Sequence, residues 1–291
     1  MIFMRFSVLR SLTLALAIGA QAWSPAFAQE AQRVVSIGGA ATEIVYALGE
    51  EKRLTAVDTT SLYPAATQAL PNVGYMRALS AEGVLALSPD LILLEDGAGP
   101  PEAVQLIDTA GVKVVHVPSG HAPETLPEKI KTVADAFGRT ADGEKMAAKV
   151  SADLAALKSE LGVVQTPQKV LFILSLKDGR PLAAGQDTAA DAMIKLAGAE
   201  NVLADTKGYK ALSWEAASAL QPDVILMIDR GGEAHGGDVF AQPALAATPA
   251  GRNKRLIRMD GLYLLGFGPR TPDAARELAS KLYPDLALAR P

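Results

Sequence analysis

A tyrosine and an arginine, Tyr75 and Arg77, stand two residues apart in the segment NVGYMRALS. In an extended segment, side chains at positions i and i+2 point the same way, so we expect the phenol and the guanidinium to converge. A nearby guanidinium favours the phenolate form. A phenolate is a hard anionic ligand for ferric iron, and tyrosine is one of the axial ligands of haem. The alternative is a tyrosine packed on the surface beside an exposed arginine, and the spacing alone leaves both open.

Strands and helices alternate on either side of this pair. The segment RVVSIGGAATEIVYALG is typical of a buried strand, a glycine turn and a helix. LTAVDTT and VKVVHVP are two further strands, and ALSAEGVLALSPDLILLED is a helix that ends near Pro89 and a buried strand. This alternation predicts an α/β fold, in which helices flank a mainly parallel sheet.

The same order of elements occurs a second time. GYMRALSAEGVLALSPDLILLED resembles GYKALSWEAASALQPDVILMID, and GGAATEIVYALGEEKRL resembles GQDTAADAMIKLAGAENVL. An internal repeat of this kind indicates a duplicated structural unit. We therefore predict two similar lobes, an N-terminal lobe at residues 29–124 and a C-terminal lobe at residues 166–291.

The segment between the lobes, residues 125–165, is polar and rich in residues that favour helices. A flexible linker would be rich in glycine and serine instead. We expect one long rigid helix that includes Leu154 and Leu157, and therefore little hinge motion. Two lobes on a stiff spacer leave a ligand cleft between them, beyond the carboxyl ends of the strands.

The first 28 residues are typical of a secretory signal peptide. They contain Arg5 and Arg10, the apolar run SLTLALAIGA and the small-residue cleavage site Ala26-Phe27-Ala28. We expect export to a bacterial periplasm, with no membrane insertion after cleavage. The chain has no cysteine, which rules out disulfides and a lipid anchor on a cysteine. Its formal net charge of −4, without a basic run, argues against nucleic-acid binding.

The sequence carries no common catalytic signature. A nucleophile elbow, a phosphate-binding loop, an HExxH zinc motif and a cysteine nucleophile are all absent. The three histidines, His116, His121 and His235, are too scattered to support a metal-ion carrier. His116 lies inside a strand, either in the core or on the surface. His121 and His235 follow strands on loops that should face the cleft, where each is either a ligand contact or a plain loop residue.

The chain resembles the periplasmic haem-binding proteins of bacterial ABC haem importers. The similarity covers nearly all of the chain after residue 28 and rests on RVVSIGGAATEIVYALG, NVGYMRALSAEGVLALSPDLI, LAAGQDTAADAMIKLAGAENV, GYKALSWEA and YLLGFGPRT. These proteins fall in a substrate-binding class that also serves cobalamin and siderophores. The resemblance implies a monomer that binds haem as a transported ligand and delivers it to an inner-membrane permease with its ATPase. A siderophore or cobalamin carrier is the main alternative, and an exported enzyme is a further one.

The resemblance also assigns roles to residues. It implies that Tyr75 is the axial ligand of the haem iron and that Arg77 hydrogen-bonds this tyrosine. Arg230, in ILMIDRGG, matches an arginine that approaches the haem. Some members add a histidine ligand from the second lobe, but the corresponding LSLKDGRPLAAG has none, and His235 is the candidate substitute.

Residues repeated in the second lobe give further candidates. Tyr209 is the internal partner of Tyr75 and is expected on the equivalent loop, where it either reaches the cleft or packs at a helix start. Phe267 and Arg270, in GFGPRT, either fix a turn or line the cleft, and we favour the turn.

Glu82 and Glu215 follow the repeated Leu-Ser in the two halves of the chain. An acid in the first turn of a helix is stabilised by the helix dipole, which explains each glutamate by itself. Resemblance to the class implies that one glutamate per lobe docks onto arginines of the permease. The two interpretations are compatible.

Overall fold

The computed structural model describes residues 31–177, 180–229 and 239–288. The predicted signal peptide, Arg230 and His235 lie outside the described residues.

Two separate sheets form the centres of two lobes. The sheet of the N-terminal lobe has four strands in the order β2-β1-β3-β4, and all its neighbouring pairs are parallel. Its strands are β1 (Val34–Ile37), β2 (Leu54–Val57), β3 (Leu91–Glu95) and β4 (Lys113–Val117). This arrangement confirms the predicted parallel sheet.

The sheet of the C-terminal lobe is mixed. The order is β10-β9-β5-β6-β8, with β7 also paired to β5, and β6 runs antiparallel to both β5 and β8. Its strands are β5 (Lys169–Lys177), β6 (Arg180–Ala184), β7 (Glu200–Asn201), β8 (Tyr209–Ala211), β9 (Val224–Asp229) and β10 (Leu256–Asp260). The antiparallel pairs were not predicted, although the Asp-Gly dipeptide that separates β5 from β6 in sequence is a common hairpin signal.

Helices cover both faces of each sheet. Those before residue 165 are α1 (Gly39–Ala47), α2 (Ala81–Leu85), α3 (Pro101–Asp108), α4 (Thr125–Ala136) and α5 (Thr140–Glu160). Those after it are α6 (Ala189–Leu196), α7 (Trp214–Ala219), α8 (Pro243–Ala246), α9 (Pro249–Arg252), α10 (Gly261–Leu265) and α11 (Thr271–Leu282). Within the described part of the chain, no helix combines the length and apolar character needed to cross a membrane.

Strands β1 and β3 are covered on both faces, so successive side chains along each strand pack into different apolar clusters. Val34, Leu91 and Leu93 point into a cluster with α1 and α4, whereas their neighbours Val35 and Ile92 point into a second cluster with α2 and α3. The second lobe divides in the same way. Since both faces of these strands are covered, they are largely apolar runs rather than alternating ones, with Ser36 and Glu95 as the polar exceptions.

The repeated Pro-Asp dipeptide has the same structural role in each lobe. Asp90 accepts hydrogen bonds from the backbone N–H groups of Gln32 and Arg33, and Asp223 accepts one from the N–H of Lys169. Each aspartate thus joins the start of its own strand to the start of a neighbouring strand. Ser88 and Gln221, the residues before the two prolines, share a positive φ of 47° and 46°. The predicted duplication is therefore visible in the backbone itself.

The prediction of a single helix between the lobes was wrong. Residues 125–161 contain two helices, α4 and α5, because Gly138 has a φ of 69° and ends the first of them. The N–H of Gly138 bonds to the carbonyl of Asp135, and the N–H of Arg139 bonds to that of Ala134, as in a Schellman motif. Helix α4 packs inside the N-terminal core, so that core extends past the predicted boundary at residue 124.

Helix α5 is the element that joins the two cores. Val150 and Leu154 pack in the cluster of the N-terminal lobe, and Leu157 packs in the cluster of the C-terminal lobe. The 21-residue helix therefore contributes to both cores, as the long interlobe helix was expected to do.

We expect Gly138→Ala to destabilise the protein by about 1 kcal/mol, because alanine has to adopt a positive φ at the end of α4. Gly162→Ala is the matched control, since Gly162 has no positive φ and no heavy atom would meet its added Cβ within 4 Å. Urea unfolding of both variants measures the difference. Equal stability of the two variants would contradict the proposed helix termination.

Candidate binding site between the lobes

The side chains of Tyr75 and Arg77 meet as predicted. Arg77 Nη1 donates a hydrogen bond of 3.0 Å to Tyr75 Oη, and both side chains are exposed. The backbone is not extended, because the carbonyl of Tyr75 accepts a hydrogen bond from the N–H of Ala78 in a tight turn. Met76, between the pair, is buried in the N-terminal core and fixes the direction of its two neighbours.

Backbone hydrogen bonds fix this loop at the carboxyl edge of the sheet. The N–H of Thr59, just after β2, bonds to the carbonyl of Gly74. The N–H of Gly99, just after β3, bonds to the carbonyl of Met76, and its own carbonyl accepts from Leu79. The loop is thus held on two sides, which restricts where the phenol can lie.

Tyr209 of the C-terminal lobe lies within the electrostatic range of Arg77. It begins strand β8 rather than lying on a loop, and 43% of its surface is exposed, as for Tyr75. Partial burial raises the pKa of Tyr209, and the positive charge of Arg77 opposes that rise. Arg77 therefore acts on a phenol from each lobe, by a hydrogen bond on Tyr75 and by its charge on Tyr209.

A cavity of about 990 Å³ lies between the lobes beside this pair. One wall is the loop from His121 to Glu124, the floor is α5, and the other wall is α6 along its whole length. Tyr75, Arg77 and Tyr209 are not among its lining residues. Since the charge of Arg77 acts on His121, the cavity adjoins the tyrosine pair rather than containing it.

His121 faces this cavity, whereas His116 does not. The ring of His121 packs against that of Phe267 from the other lobe, with centroids 5.1 Å apart. Burial lowers the pKa of His121, and the charges of Lys129 and Arg77 lower it further. His116 is exposed on β4, where its Nε2 lies 3.0 Å from Asp108 Oδ1, so it is a surface residue.

Phe267 and Arg270 belong to a segment that joins the lobes, residues 266–270, which we call the bridging segment. Phe267 is 2% exposed and has a φ of 51°, so the predicted turn is present, although the ring lines no open surface. The N–H and Nη2 of Arg270 donate to the two carboxylate oxygens of Glu43, at 3.1 Å and 2.8 Å. The guanidinium also lies 3.4 Å from the ring centre of Tyr63.

A buried lysine makes the second connection to the bridging segment. Lys129 on α4 is 1% exposed, and its Nζ lies 3.0 Å from Glu95 Oε1 and 3.4 Å from the carbonyl oxygen of Phe267. Burial raises the pKa of Glu95, and the charge of Lys129 opposes that rise. Because Glu95 ends strand β3, this contact links the sheet of one lobe to the backbone of the other.

Sequence reasoning missed Glu43, Glu95 and Lys129. Glu43 is a charged residue within the apolar stretch ATEIVYAL, and Glu95 ends the apolar run LILLE, whereas Lys129 lies among other charged residues of PEKIK. A charge on the buried face of an element requires a partner, because an unpaired buried charge is costly. This rule could have indicated that a buried charge is paired, but it does not tell which residue is its partner.

Glu82 and Glu215 occupy the same position in the two lobes. Each is the second residue of its helix, α2 or α7, and each helix is capped by a serine, Ser80 or Ser213, that accepts a backbone hydrogen bond at 3.1 Å. Both glutamates are exposed. The pKa of Glu215 is lowered by a hydrogen bond from its own backbone and by Ser213. The first-turn positions predicted for both residues are confirmed.

The arrangement is suited to binding a ligand whose metal centre can be coordinated by a phenol oxygen. An exposed phenol with a guanidinium on its oxygen can coordinate a ferric centre as a phenolate. Four exposed large apolar or aromatic side chains lie in segments that follow strands or at the contact between the lobes. They are Leu62, Tyr63, Tyr75 and Tyr209. Among the described residues, no group of three or more His, Asp or Glu side chains could hold a bare metal ion.

Two α/β lobes that face each other across a ligand cleft define a two-lobed binding protein. Residues 34–262 match the family described as periplasmic binding protein, and the chain belongs to this family.

Known proteins of similar sequence and structure differ in what they bind. The periplasmic haem-binding protein BhuT, solved with two haems, is 43% identical, with a TM-score of 0.81 over 88% of this chain and 99% of that one. RhuT from Roseiflexus sp. RS-1, a periplasmic haem-binding protein solved in apo form, is 42% identical, with a TM-score of 0.82 and the same coverage. The vitamin B12-binding protein of Pectobacterium carotovorum subsp. carotovorum (strain PC1) is 25% identical over 252 residues, which are 86% of this chain and 88% of that protein.

We expect Arg270→Ala to lower the free energy of unfolding by about 3 kcal/mol, because it removes the charged partner of the buried Glu43 carboxylate and leaves only the backbone N–H at position 270. Lys149→Ala is the control. It removes an exposed ion pair with Asp153, at 2.6 Å, and should cost about 0.5 kcal/mol or less. Urea unfolding measures both. A loss as small as that of the control would mean that the contact between the lobes contributes little to stability.

Proposed function

We propose that this protein captures haem in the periplasm and delivers it to an inner-membrane ABC permease. The observation that carries the proposal is the 3.0 Å hydrogen bond from Arg77 to an exposed Tyr75 at the edge of an interlobe cleft. Two haem-binding proteins with more than 40% identity over nearly their whole length support it. Haem is the transported ligand here and not a catalytic cofactor.

The described residues fit haem as a ligand. Tyr75 would supply the phenolate to ferric iron, and Arg77 would stabilise its negative charge. Tyr209 approaches from the other lobe. The cavity beside the pair adds space for a large planar ligand, within the volume range typical of ligand sites. Arg230 and His235, also predicted near the haem, lie outside the described residues and stay predictions.

The proposal also covers the oligomeric state, the location and the lack of catalysis. We infer a monomer that is exported through its N-terminal signal peptide and that binds without catalysis, since the common catalytic motifs are absent from its sequence. Membership of the periplasmic binding protein family supports the location and the binding role.

Purified protein without residues 1–28 should bind ferric haem with the charge-transfer band of a phenolate ligand. Tyr75→Phe should lose that band, because it removes only the ligating oxygen. Arg77→Ala should keep the band and weaken binding roughly tenfold, as losses of residues that support a metal ligand do. Hemin titration followed by visible spectroscopy measures both effects.

Tyr209→Phe is the matched control, since it removes an equally exposed phenol from the other lobe and should keep the band. An unchanged spectrum in Tyr75→Phe would refute the assignment of the iron ligand. A parallel titration with cyanocobalamin tests the alternative suggested by the vitamin B12-binding relative. Tight binding of cobalamin without binding of hemin would replace haem as the proposed ligand.

Permease docking by Glu82 and Glu215 is the second part of the proposal. The two residues share one position in the repeat, directly after a capped helix start in each lobe. Each follows the tyrosine that its lobe contributes to the cleft by six or seven positions. One exposed carboxylate per lobe suits a permease made of two similar subunits, each presenting an arginine.

Replacing both Glu82 and Glu215 by alanine should leave haem affinity unchanged and impair haem transport in vesicles that contain the permease and its ATPase. Charges at the rim of an interface mainly set the association rate and its salt dependence, and salt screens them, so the defect should be largest at low ionic strength and shrink as salt is added. Each single replacement should be milder. The double variant Glu102→Ala/Glu200→Ala removes two other exposed acids and is the control. Normal transport by the Glu82→Ala/Glu215→Ala variant would mean that the two glutamates only stabilise their helices through the helix dipole.

A further inference from the structure

We propose that His121 recognises a carboxylate of the bound ligand through a hydrogen bond donated by its Nε2. For haem this carboxylate is a propionate. The proposal rests on the proposed function, because it identifies a second contact for the same ligand. It assigns a role to a residue of the N-terminal lobe that does not belong to the Tyr75–Arg77 pair.

The two ring nitrogens of His121 have different surroundings. Nδ1 is fully buried and has no hydrogen-bond partner among the described residues. Nε2 is not buried in this way, and the ring lines the 990 Å³ cavity between the lobes. Nε2 is therefore the nitrogen that a ligand in this cavity can reach.

The burial of Nδ1 selects the tautomer. A buried N–H without an acceptor is costly, and orphaned donors are rarer in proteins than under-satisfied acceptors. The neutral ring thus carries its proton on Nε2 and leaves Nδ1 as a bare acceptor. An imidazole in this form offers a donor to the cavity, which suits a carboxylate and does not suit direct coordination of a metal ion.

Charges around His121 favour an anion at this point. Lys129 and Arg77 act on the ring, and both are positive. Lys129 has Glu95 as its partner, and Arg77 donates a hydrogen bond to Tyr75. The acids that line the cavity are Glu124, Asp187 and Asp191; of these, Asp191 pairs with Lys195 at 2.7 Å and Asp187 with Lys207 at 3.2 Å.

The position of His121 fits a contact to the ligand edge rather than to the iron. His121 follows β4, and the loop of Tyr75 is held at the ends of β2 and β3, so both lie at the carboxyl edge of one sheet. Two axial ligands of one iron must approach from opposite faces of the porphyrin. Two residues at the same edge of the same lobe are poorly placed for that, whereas one can bind the iron and the other a peripheral carboxylate.

The bridging segment holds the imidazole in place. The ring of Phe267 packs against it at a tilt of 57°, and the carbonyl of Phe267 is bonded by the buried Lys129. The donor is therefore positioned before the ligand arrives, which reduces the entropy lost on binding.

The test compares hemin with hemin dimethyl ester, which lacks both free carboxylates. Wild-type protein should bind hemin more tightly than the ester. His121→Phe keeps an aromatic ring against Phe267 and removes the donor, so it should lower hemin affinity about tenfold, as loss of a hydrogen bond to a charged group does, and leave the ester affinity unchanged. The phenolate band from Tyr75 should be the same in both proteins.

Two further variants complete the test. His121→Gln retains an N–H donor and should recover part of the preference for hemin, which also covers the case that His121→Phe does not fold. His116→Phe, at the exposed histidine of the same lobe, should change neither affinity.

Four results would overturn the proposal. Equal losses for hemin and the ester would indicate a packing role for His121. A changed phenolate band in His121→Phe would indicate that the histidine acts at the iron. Hemin binding by wild-type protein with no preference over the ester would exclude carboxylate recognition while leaving the proposed function intact, whereas no binding of hemin at all would remove both.

Discussion

The relative position of the two lobes depends on charges that are buried where the lobes meet. Lys129 links Glu95 to the carbonyl of Phe267, and Glu43 holds Arg270. Buried ion pairs add little net stability over apolar packing, but they are sensitive to geometry because a displaced partner leaves an uncompensated charge. The contacts therefore favour one mutual arrangement of the lobes and oppose sliding or wide separation. The expectation of small closure on ligand binding is consistent with this but stays a prediction.

The cleft residues take their positions from the ends of the strands. The loop after β2 carries Tyr75 and Arg77, the loop after β4 carries His121, and the second lobe presents Tyr209 at the start of β8. Three of these side chains are supported from behind, Tyr75 and Arg77 by the buried Met76 between them and His121 by the ring of Phe267. Polar groups that face the ligand are thus supported by apolar contacts on the opposite side, which keeps them in place without a ligand.

Features determined by local sequence could be predicted, and features determined by distant contacts could not. The parallel strands and the meeting of Tyr75 with Arg77 were predicted from short segments, and the duplication from the similarity of such segments in the two halves of the chain. The pairing of Arg270 with Glu43 joins residues 227 positions apart, and no local pattern names such a partner. The break between α4 and α5 was missed for a different reason. Gly138 after Phe137 is a local stop signal for a helix, but it was outweighed by the helix-favouring composition around it.

The sharing of α5 between the two cores has a consequence for the order of folding. All strands of the N-terminal sheet, with α1 to α4, precede α5 in the chain, so this lobe can condense while the rest is still being synthesised. At that stage Val150 and Leu154 are already covered, whereas Leu157 and Leu161 extend from the completed lobe as an uncovered apolar strip. The C-terminal half of the chain then has a preformed surface on which to collapse. The first lobe acts in this sense as an internal template for the second.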